Sequence, residues 1–406
     1  MEGTVHLMQP HDFERRLDRV FENALTRRRL LRNGAAGALS ASALAYLAAC
    51  GETGGASDGE VKTVPKGEIA SSMYFANWPL YIDSEGERRP TLQRFRERYG
   101  TRVKYVEEIN DNTEFFGKLR PQLENGNSGG RDLVNLTDWM AARLKRLGYV
   151  YKLDKSELPN VVKNLEQPAR ADFDPNRDFS VPWQYFQTGM IYRKDKVKRE
   201  PRSINDVFDP DYKGRVTFLN DMRDTVGLVM LAMGNDPAQD GVDQAMAAID
   251  KIEQAASSGQ VRTFTGNEYT KDLVNGNSWL IFGWSGDAVQ LSADDPNIVF
   301  VQPDEGFMVN ADSMQIPIGA PNPFTAQKFI DFVYQPEIQA AITEYVNFMP
   351  PVKGVREIIE QRNPELAESP LVFPDEETRG RSRIFRALKA EEEQQLNDAF
   401  QAVVGA

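Results

Sequence analysis

From residue 72 onward, the sequence alternates between short apolar runs of strand length and longer amphipathic runs of helix length. A first block predicts strands over 72–76, 102–106 and 132–136, separated by helices over 87–99, 112–124 and 138–147. A second block predicts strands over 216–219, 260–264, 278–282 and 298–301, and helices over 221–233, 240–256, 323–334, 337–345 and 383–403. Repeated strand–helix–strand units are typical of parallel sheets covered by helices. We therefore predict an α/β fold with two lobes.

Two export patterns follow one another near the N-terminus. Thr26-Arg27-Arg28 has the form of a twin-arginine export signal, and Leu47-Ala48-Ala49-Cys50 is the pattern at which bacteria attach lipid to a cysteine and cleave before it. The apolar run between them, 35–49, has about 15 residues, which is shorter than the roughly 20 that a membrane-spanning helix needs. We expect residues 1–49 to be removed as a twin-arginine lipoprotein signal and Cys50 to be lipidated.

The residues after Cys50 predict a flexible connection to the folded body. Residues 51–67 consist of Gly, Ser and charged residues with little apolar content, so we assign 50–67 to the lipidated cysteine and a flexible tether. The protein would then be held on the outer face of the cell membrane, in the periplasm or at the cell surface. Residues 1–25 precede the export signal and receive no predicted role.

The few cysteines and histidines exclude several classes of chemistry. Cys50 is the only cysteine, and the only histidines, His6 and His11, lie in the predicted signal. The remaining chain therefore lacks Ser–His and Cys–His nucleophiles and histidine metal sites. We predict no metal, no cofactor and no enzymatic activity.

The charge balance disfavours nucleic acid as a partner. The whole chain has 48 basic and 60 acidic residues; without the seven Arg and five acids of residues 1–49, 41 basic and 55 acidic residues remain, a net charge of −14. Binding to nucleic acid needs a basic face, whereas an acidic protein attracts cations. The alternative explanation is that acidity only keeps an exported protein soluble.

The tryptophans concentrate near the ends of predicted strands. Of the five, only Trp279 lies inside a predicted strand; the other four are near strand ends: Trp78, Trp139, Trp183 and Trp284. Ligands of open α/β sheets bind beyond the carboxyl ends of the strands. The pattern predicts an aromatic-lined cleft, with ordinary packing as the alternative for each residue.

Carboxylates accompany these aromatics. Asp221 and Asp224 flank Arg223 at a strand-to-helix junction, and Asp287 follows Trp284 at a predicted helix start. Helix capping is the alternative role for Asp221 and Asp287. Carboxylates pair with ammonium groups, and aromatic faces attract cations and pack on methylenes. Such a site suits a ligand with an amine at each end and an apolar middle.

Several motifs in a fixed order carry a family resemblance. They are Phe75-Ala76-Asn77-Trp78-Pro79-Leu80-Tyr81-Ile82, Arg131-Asp132-Leu133-Val134, Ser180-Val181-Pro182-Trp183, Tyr212-Lys213-Gly214-Arg215, Leu219-Asn220-Asp221-Met222-Arg223-Asp224, Gly283-Trp284-Ser285-Gly286-Asp287 and Asp312-Ser313-Met314-Gln315-Ile316-Pro317. Over about 73–351 the chain resembles the spermidine/putrescine-binding type of substrate-binding proteins of ABC importers. The resemblance implies the periplasmic-binding-protein fold, with a mixed, mostly parallel sheet in each lobe and a hinge of crossing strands. The lobes would comprise 68–187 plus 285–317 and 188–284 plus 318–406.

The tryptophan pattern and the resemblance together predict the ligand site. The candidate ligand-binding residues are Trp78, Tyr81, Thr137, Trp139, Trp183, Asp221, Asp224, Trp284 and Asp287. By the resemblance, Asp221 matches an amine-binding acid, Asp224 replaces a Glu, and Thr137 and Trp139 replace a Ser and a Tyr. Departures from the family pattern occur at Leu80, near Val309 and over 348–352.

These observations predict a monomeric, lipid-anchored solute-binding protein that captures a polyamine, spermidine or putrescine, between its lobes and delivers it to an ABC permease. One alternative keeps the fold and changes the ligand to another cation or a sugar. A second is a surface hydrolase that uses two carboxylates.

Overall fold

A computed structural model describes residues 61–166 and 171–405. The predicted signal, Cys50 and the first part of the tether lie outside the described residues. The end of the predicted tether is packed rather than free, because Val64 is buried and its backbone N–H donates to the Lys152 carbonyl at 2.8 Å. Among the helices of the described part, none combines the length and the apolar character that crossing a membrane requires.

The first part of the chain forms three parallel strands with helices between them. Its elements are β1 (Ser72–Asn77), α1 (Pro90–Tyr99), β2 (Arg102–Glu107), α2 (Asn112–Leu123), β3 (Leu133–Thr137), α3 (Asp138–Arg146) and α4 (Pro159–Asn164). Local sequence sets the helix ends: α1 starts with Pro90 and ends at Gly100, whose φ of 73° suits glycine, and Asp111 caps α2.

The middle of the chain forms the second half of the sheet. Its elements are β4 (Val181–Arg193), β5 (Val216–Leu219), α5 (Met222–Ala232), α6 (Val242–Ser257), β6 (Val261–Thr265), α7 (Tyr269–Val274), β7 (Leu280–Trp284), α8 (Ser285–Asp294), β8 (Ile298–Val301) and β9 (Phe307–Gln315). The remaining residues are mainly helical: α9 (Pro323–Val333), α10 (Pro336–Val346), α11 (Val355–Arg362), α12 (Pro364–Ala367), α13 (Glu376–Arg381), β10 (Ser382–Arg383) and α14 (Ala390–Val404).

All ten described strands belong to one sheet, whose main path is β2-β1-β3-β9-β4-β7-β5-β6, with β10 on β9 and β8 on β4. The pairs β2-β1-β3 at one end and β7-β5-β6 at the other are parallel. The long strands β4 and β9 pair antiparallel in the centre and join the two halves. The predicted two-lobed α/β fold with mixed, mostly parallel halves is confirmed.

Two main hydrophobic cores define the lobes, and their boundaries differ from the predicted ones. Residues between 320 and 372 join the first core, whereas 318–406 was assigned to the second lobe. Residues of α8 and β8 join the second core, whereas 285–317 was assigned to the first. The chain returns to the first lobe along β9 rather than at residue 285, and α14 packs its Leu396 and Phe400 in the second core.

Candidate functional site

A narrow cavity opens where the two lobes meet. Its wall consists of Trp78, Pro79, Tyr81, Thr137, Phe186, Asn267, Trp284, Asp287, Asp312 and Phe348. Trp78 follows β1 and Thr137 ends β3, while Trp284 ends β7. The cavity therefore lies beyond the carboxyl ends of parallel strands from both lobes, the usual place for a ligand in such sheets.

Aromatic rings from both lobes form the apolar wall. Trp78 meets Trp284 edge to face, with 6.1 Å between ring centroids, and Phe186 approaches Trp284 at the same separation. Phe348 meets Tyr81 at 4.9 Å. These contacts fix the rings around a space that would accept methylene groups and cations.

Asp287, in the first turn of α8, supplies one cavity carboxylate. Its Oδ2 accepts hydrogen bonds from the Tyr269 hydroxyl at 2.6 Å and from the Asn267 amide at 2.9 Å. Among the described residues, no group donates to Oδ1. Burial raises the pKa of Asp287 to about 6, although both donors lower it. The alternative of helix capping does not apply, because no side chain caps α8.

Asp312, in the middle of β9, supplies the second cavity carboxylate and was not among the predicted ligand residues. The Thr137 hydroxyl donates to its Oδ1 at 2.7 Å. Burial raises the pKa of Asp312 to about 7, and the charges of Asp138 and Asp221 also raise it. The charge of Asp312 in turn adds to burial in raising the pKa of Tyr81.

Asp224 lies behind the aromatic wall rather than in it. Its Oδ2 accepts from the Trp284 indole N–H at 2.9 Å and its Oδ1 from the Asn310 amide at 2.6 Å. Burial raises the pKa of Asp224 to about 8, and the charge of Asp221 adds to this rise. Asp224 therefore orients Trp284 and adds a further buried carboxyl group behind the cavity wall.

Asp221 caps α5, as the alternative reading of this residue predicted. Its Oδ1 accepts from the backbone N–H groups of Arg223 and Asp224, and its Oδ2 accepts from the Trp139 indole at 3.0 Å. Burial raises the pKa of Asp221, and the Arg223 charge opposes that shift. Asp221 and Trp139 thus form a polar contact between the lobes and are not part of the cavity wall.

Trp183 belongs to the first core. It is fully buried, meets Phe75 edge to face, and donates its indole N–H to the Tyr81 carbonyl at 3.0 Å. The contact holds the loop in which Leu80 adopts a left-handed φ of 56°. Trp183 therefore positions Tyr81 and does not reach the cavity.

The structure brings five of the nine predicted site residues into the cavity wall: Trp78, Tyr81, Thr137, Trp284 and Asp287. The wall residues that sequence reasoning missed are Pro79, Phe186, Asn267, Asp312 and Phe348. Pro79 and Asp312 stand within the motifs that carried the resemblance, and Phe348 lies in a segment noted as a departure. No motif or sequence pattern pointed to Phe186 or Asn267.

The arrangement is chemically suited to an organic cation. Several buried or half-buried carboxylates converge here, and burial is the main cause of their raised pKa values. A bound ammonium would supply a compensating positive charge, and the aromatic rings would pack on an alkyl chain. The described residues contain no grouping of three or more His, Cys, Asp or Glu arranged to hold a metal ion.

Comparisons with known proteins agree with this geometry. The family described as bacterial extracellular solute-binding protein matches residues 91–374. The putrescine/cadaverine-binding protein of Pseudomonas aeruginosa is 29% identical over 346 residues, which cover 81% of this chain and 92% of that protein. The spermidine/putrescine-binding periplasmic protein of Escherichia coli is 25% identical over 311 residues, which cover 76% and 84%.

A solved structure shares the fold. The structure described as a putative spermidine/putrescine ABC transporter from Listeria monocytogenes superposes with a TM-score of 0.71 at 24% identity, covering 82% of this chain and 99% of that one. At this level of identity, the similarity establishes the two-lobed architecture.

Proposed function

The chain belongs to the bacterial extracellular solute-binding protein family, and on that premise we propose that it captures a short polyamine of the putrescine or spermidine type between its lobes. The names of its relatives support this ligand class, since those proteins bind putrescine with either cadaverine or spermidine. The chemistry of the cavity supports it independently.

The pairing of Asp287 and Asp312 across an aromatic cavity carries the proposal. Asp287 comes from α8 of the second lobe and Asp312 from the central strand β9, so each can take one ammonium group of a linear diamine. Trp78 and Trp284 meet between the lobes and would pack on the methylene chain. Because residues from both lobes are needed, ligand binding favours the closed arrangement.

We further propose that the protein is exported by the twin-arginine route, is lipidated at Cys50, and passes its ligand to an ABC permease. The twin-arginine and cysteine patterns support export and anchoring. Family membership supports the permease as partner. The monomer would act alone, since each cavity is completed by the two lobes of one chain.

Titration of the protein without its first 49 residues against putrescine, cadaverine, spermidine and spermine tests the ligand, with maltose as a neutral control. A ligand present at 100 times its dissociation constant stabilises the fold by about 2.7 kcal/mol. We expect a thermal shift with at least one polyamine, lost in Asp287→Asn but retained in the exposed control Asp398→Asn. Binding should weaken with added salt. Binding only to maltose, insensitive to salt, would replace the polyamine with a sugar.

Metabolic labelling tests the anchor. We expect the full-length chain to incorporate labelled fatty acid and to fractionate with membranes, and Cys50→Ala to lose both properties. Replacing Arg27 and Arg28 with Lys should block export while leaving the polyamine titration of the purified protein unchanged. Export of this variant at the normal rate would contradict the twin-arginine route.

A further inference from the structure

A strongly basic segment, residues 88–104, lies outside the wall of the ligand cavity. It contains seven Arg or Lys residues and a single acid, Glu97, which gives it a net charge of +6. The predicted mature chain has a net charge of −14, so this segment has the opposite sign to the protein as a whole. Such a concentration of positive charge on an acidic protein indicates a surface that attracts an anionic partner.

The fold gathers four of these arginines around one open hollow on the first lobe, which we call the arginine hollow. Arg88 and Arg89 directly precede α1, Arg96 lies two turns further along the same helix face, and Arg102 begins β2. Because β2 is the first strand on the main path of the sheet, the hollow lies at the edge of the lobe that is remote from the central strands β4 and β9.

Most of the positive charge in the arginine hollow is available to a partner. Three of its guanidinium groups are exposed and form no ion pair within the described residues: Arg88, Arg96 and Arg102. Arg89 is half-buried and pairs with Glu107 at 2.6 Å. One acid, Glu97, also lines the hollow and accepts from the Gln93 amide at 3.0 Å. The exposed cations therefore outnumber the single acid that faces them.

Local structural roles account for only part of this charge. Basic residues on an edge strand discourage pairing with another chain, a role that suits Arg102 and Lys104 of β2. Arg96 lies in the last turn of α1, where a cation is favourable. Arg88 lies instead at the start of that helix, where the helix dipole disfavours a positive charge. Its presence there is explained better by an anionic partner than by the stability of the helix.

The proposed lipid anchor would hold this edge of the first lobe near a membrane. Only ten residues separate Cys50 from Val61, the first described residue, and a chain of that length reaches at most about 40 Å. The chain then passes along the basic edge, because the Arg102 backbone N–H donates to the Ser71 carbonyl at 2.8 Å. A short tether gives even a weak attraction to the membrane a high effective concentration.

We propose that the arginine hollow docks onto the anionic phospholipid surface to which the protein is anchored. This inference goes beyond the proposed ligand and rests on the proposed anchor only for bringing the protein to a membrane. Guanidinium groups bind phosphate oxygens through paired hydrogen bonds, and every phospholipid headgroup carries a phosphate. Docking through these arginines leaves the ligand site free, because none of them belongs to the cavity wall.

Co-sedimentation with vesicles tests the docking without the lipid anchor. The protein without its first 49 residues, carrying Cys50→Ala, is mixed at about 50 mM salt with vesicles of phosphatidylcholine, alone or with about 40% phosphatidylglycerol. We expect at least tenfold stronger partitioning to the anionic vesicles, and its loss at about 500 mM salt. The combined variant Arg88→Gln, Arg96→Gln and Arg102→Gln should lose at least tenfold, since each arginine near such a surface contributes about fivefold.

The matched control replaces three other exposed basic residues, each of which is already paired with an acid: Lys118→Gln, Lys198→Gln and Arg202→Gln. It changes the net charge equally, and its partitioning should stay within about twofold of the wild type. Thermal denaturation and putrescine titration, expected to be unchanged in both combined variants, show that they are folded.

Equal wild-type binding to both kinds of vesicle, or full binding by the arginine-hollow variant, would overturn the inference. Wild-type protein that ignores anionic vesicles, together with slower polyamine uptake by cells that carry the arginine-hollow variant, would also overturn it and would assign the surface to the permease. Failure of the Cys50 labelling or of the polyamine titration would instead refute the proposed function. The vesicle assay uses neither property, so the failures are distinguishable.

Discussion

The indole N–H of Trp284 donates to the Asp224 carboxylate at 2.9 Å, so the aromatic ring that lines the cavity also shields Asp224 from the cavity. Asp224 is nearly inaccessible and its pKa is raised to about 8 by burial and by the charge of Asp221. Between its ordinary pKa of 3.8 and this raised value, the folded, unliganded protein therefore keeps the Asp224 carboxyl protonated, whereas the unfolded chain would release this proton. Uptake and release of this proton link pH, stability and ligand binding.

The stability of the unliganded protein should fall as pH rises from about 4 to about 8. Asp224 has a folded-state pKa of about 8, above its ordinary value of 3.8. In that window the folded state binds more protons than the unfolded state, so each such group contributes a loss of up to about 1.4 kcal/mol per pH unit. Asp312 and Asp287, with pKa values of about 7 and 6, act in the same direction.

Asp224→Asn removes the largest of these contributions. We expect the loss of unfolding free energy between pH 5 and pH 8 to be smaller than in the wild type by at least about 1 kcal/mol. Urea denaturation at pH 5, 6.5 and 8 measures it, and Asp398→Asn at an exposed position serves as the control. An unchanged slope in Asp224→Asn would show that Asp224 is ionised in the folded protein at these pH values.

Tyr269→Phe should shift the pH dependence of polyamine binding upward. The Tyr269 hydroxyl donates to Asp287 at 2.6 Å and lowers its pKa, which burial raises. Without this donor, Asp287 stays protonated to higher pH and binds an ammonium poorly there. We expect affinity to fall at least about fivefold at pH 6.5 and to recover largely by pH 8.5, since a carboxylate below its pKa loses tenfold per pH unit.

Calorimetry across pH 5.5–8.5 measures the pH at which polyamine affinity is half recovered. Tyr192→Phe is the control, because Tyr192 lies on β4 outside the cavity wall. The Tyr269 hydroxyl also accepts from the backbone N–H of Trp284 at 3.1 Å, so a uniform loss of affinity at every pH would show that it acts by positioning Trp284 and not through the pKa of Asp287.

Gly286→Ala should damage the cavity through Phe348. A Cβ at Gly286 would lie 2.3 Å from the Phe348 ring, which lines the cavity and contacts Tyr81. The ring must move, and overpacking of this kind costs about 1–3 kcal/mol of stability. We expect polyamine affinity to fall at least tenfold, as measured by titration calorimetry.

Gly117→Ala provides the opposite control. Gly117 lies inside α2, and apart from the adjacent residues and the backbone of the helix itself, no atom of the described residues lies within 4 Å of an added Cβ. Alanine there should raise stability by about 0.5–1 kcal/mol through helix propensity and leave binding unchanged. If both alanine variants bind alike, Phe348 does not shape the site.

The lobed α/β fold could be predicted because the outer strands and helices carry strong local patterns. Strands such as β5 and β8 have the predicted bounds. The sequence patterns did not predict the two central strands, β4 and β9, which join the two halves of the sheet. They are nearly or fully buried and mix apolar residues with Gln184, Gln187 and Ser313, so neither alternation nor a continuous apolar run marks them.

That omission also explains why the predicted site differs from the cavity wall and why the predicted lobe bounds differ from the two hydrophobic cores. Asp312 enters the cavity because β9 pairs with both β3 and β4, a long-range pairing that no local pattern encodes. The burial of Arg223 on Trp139 and its ion pair with Glu393 likewise join distant segments. Local sequence could place aromatics and acids at strand ends, but only tertiary packing decides which of them face the ligand and which are already paired.

Glu393→Gln should destabilise the protein far more than Arg146→Ala, although both remove the same ion pair. Glu393 is buried and accepts from arginines of α3 and α5, whereas Arg146 is 42% exposed in its side chain. Removing the acid leaves Arg143 and Arg223 close together without their counter-charge, and breaking a buried pair in this way costs about 3–5 kcal/mol.

Losing the exposed arginine should cost less than about 1 kcal/mol. Urea denaturation of the two variants at low and moderate salt measures the difference. Because α3 belongs to the first lobe while α5 and α14 pack in the second, Glu393 also ties the lobes together. Small-angle scattering of the unliganded Gln variant should therefore show a larger radius of gyration than the wild type, and polyamine should restore the compact form. Equal destabilisation by the two substitutions, with an unchanged radius, would mean that this cluster contributes only as a solvated surface network.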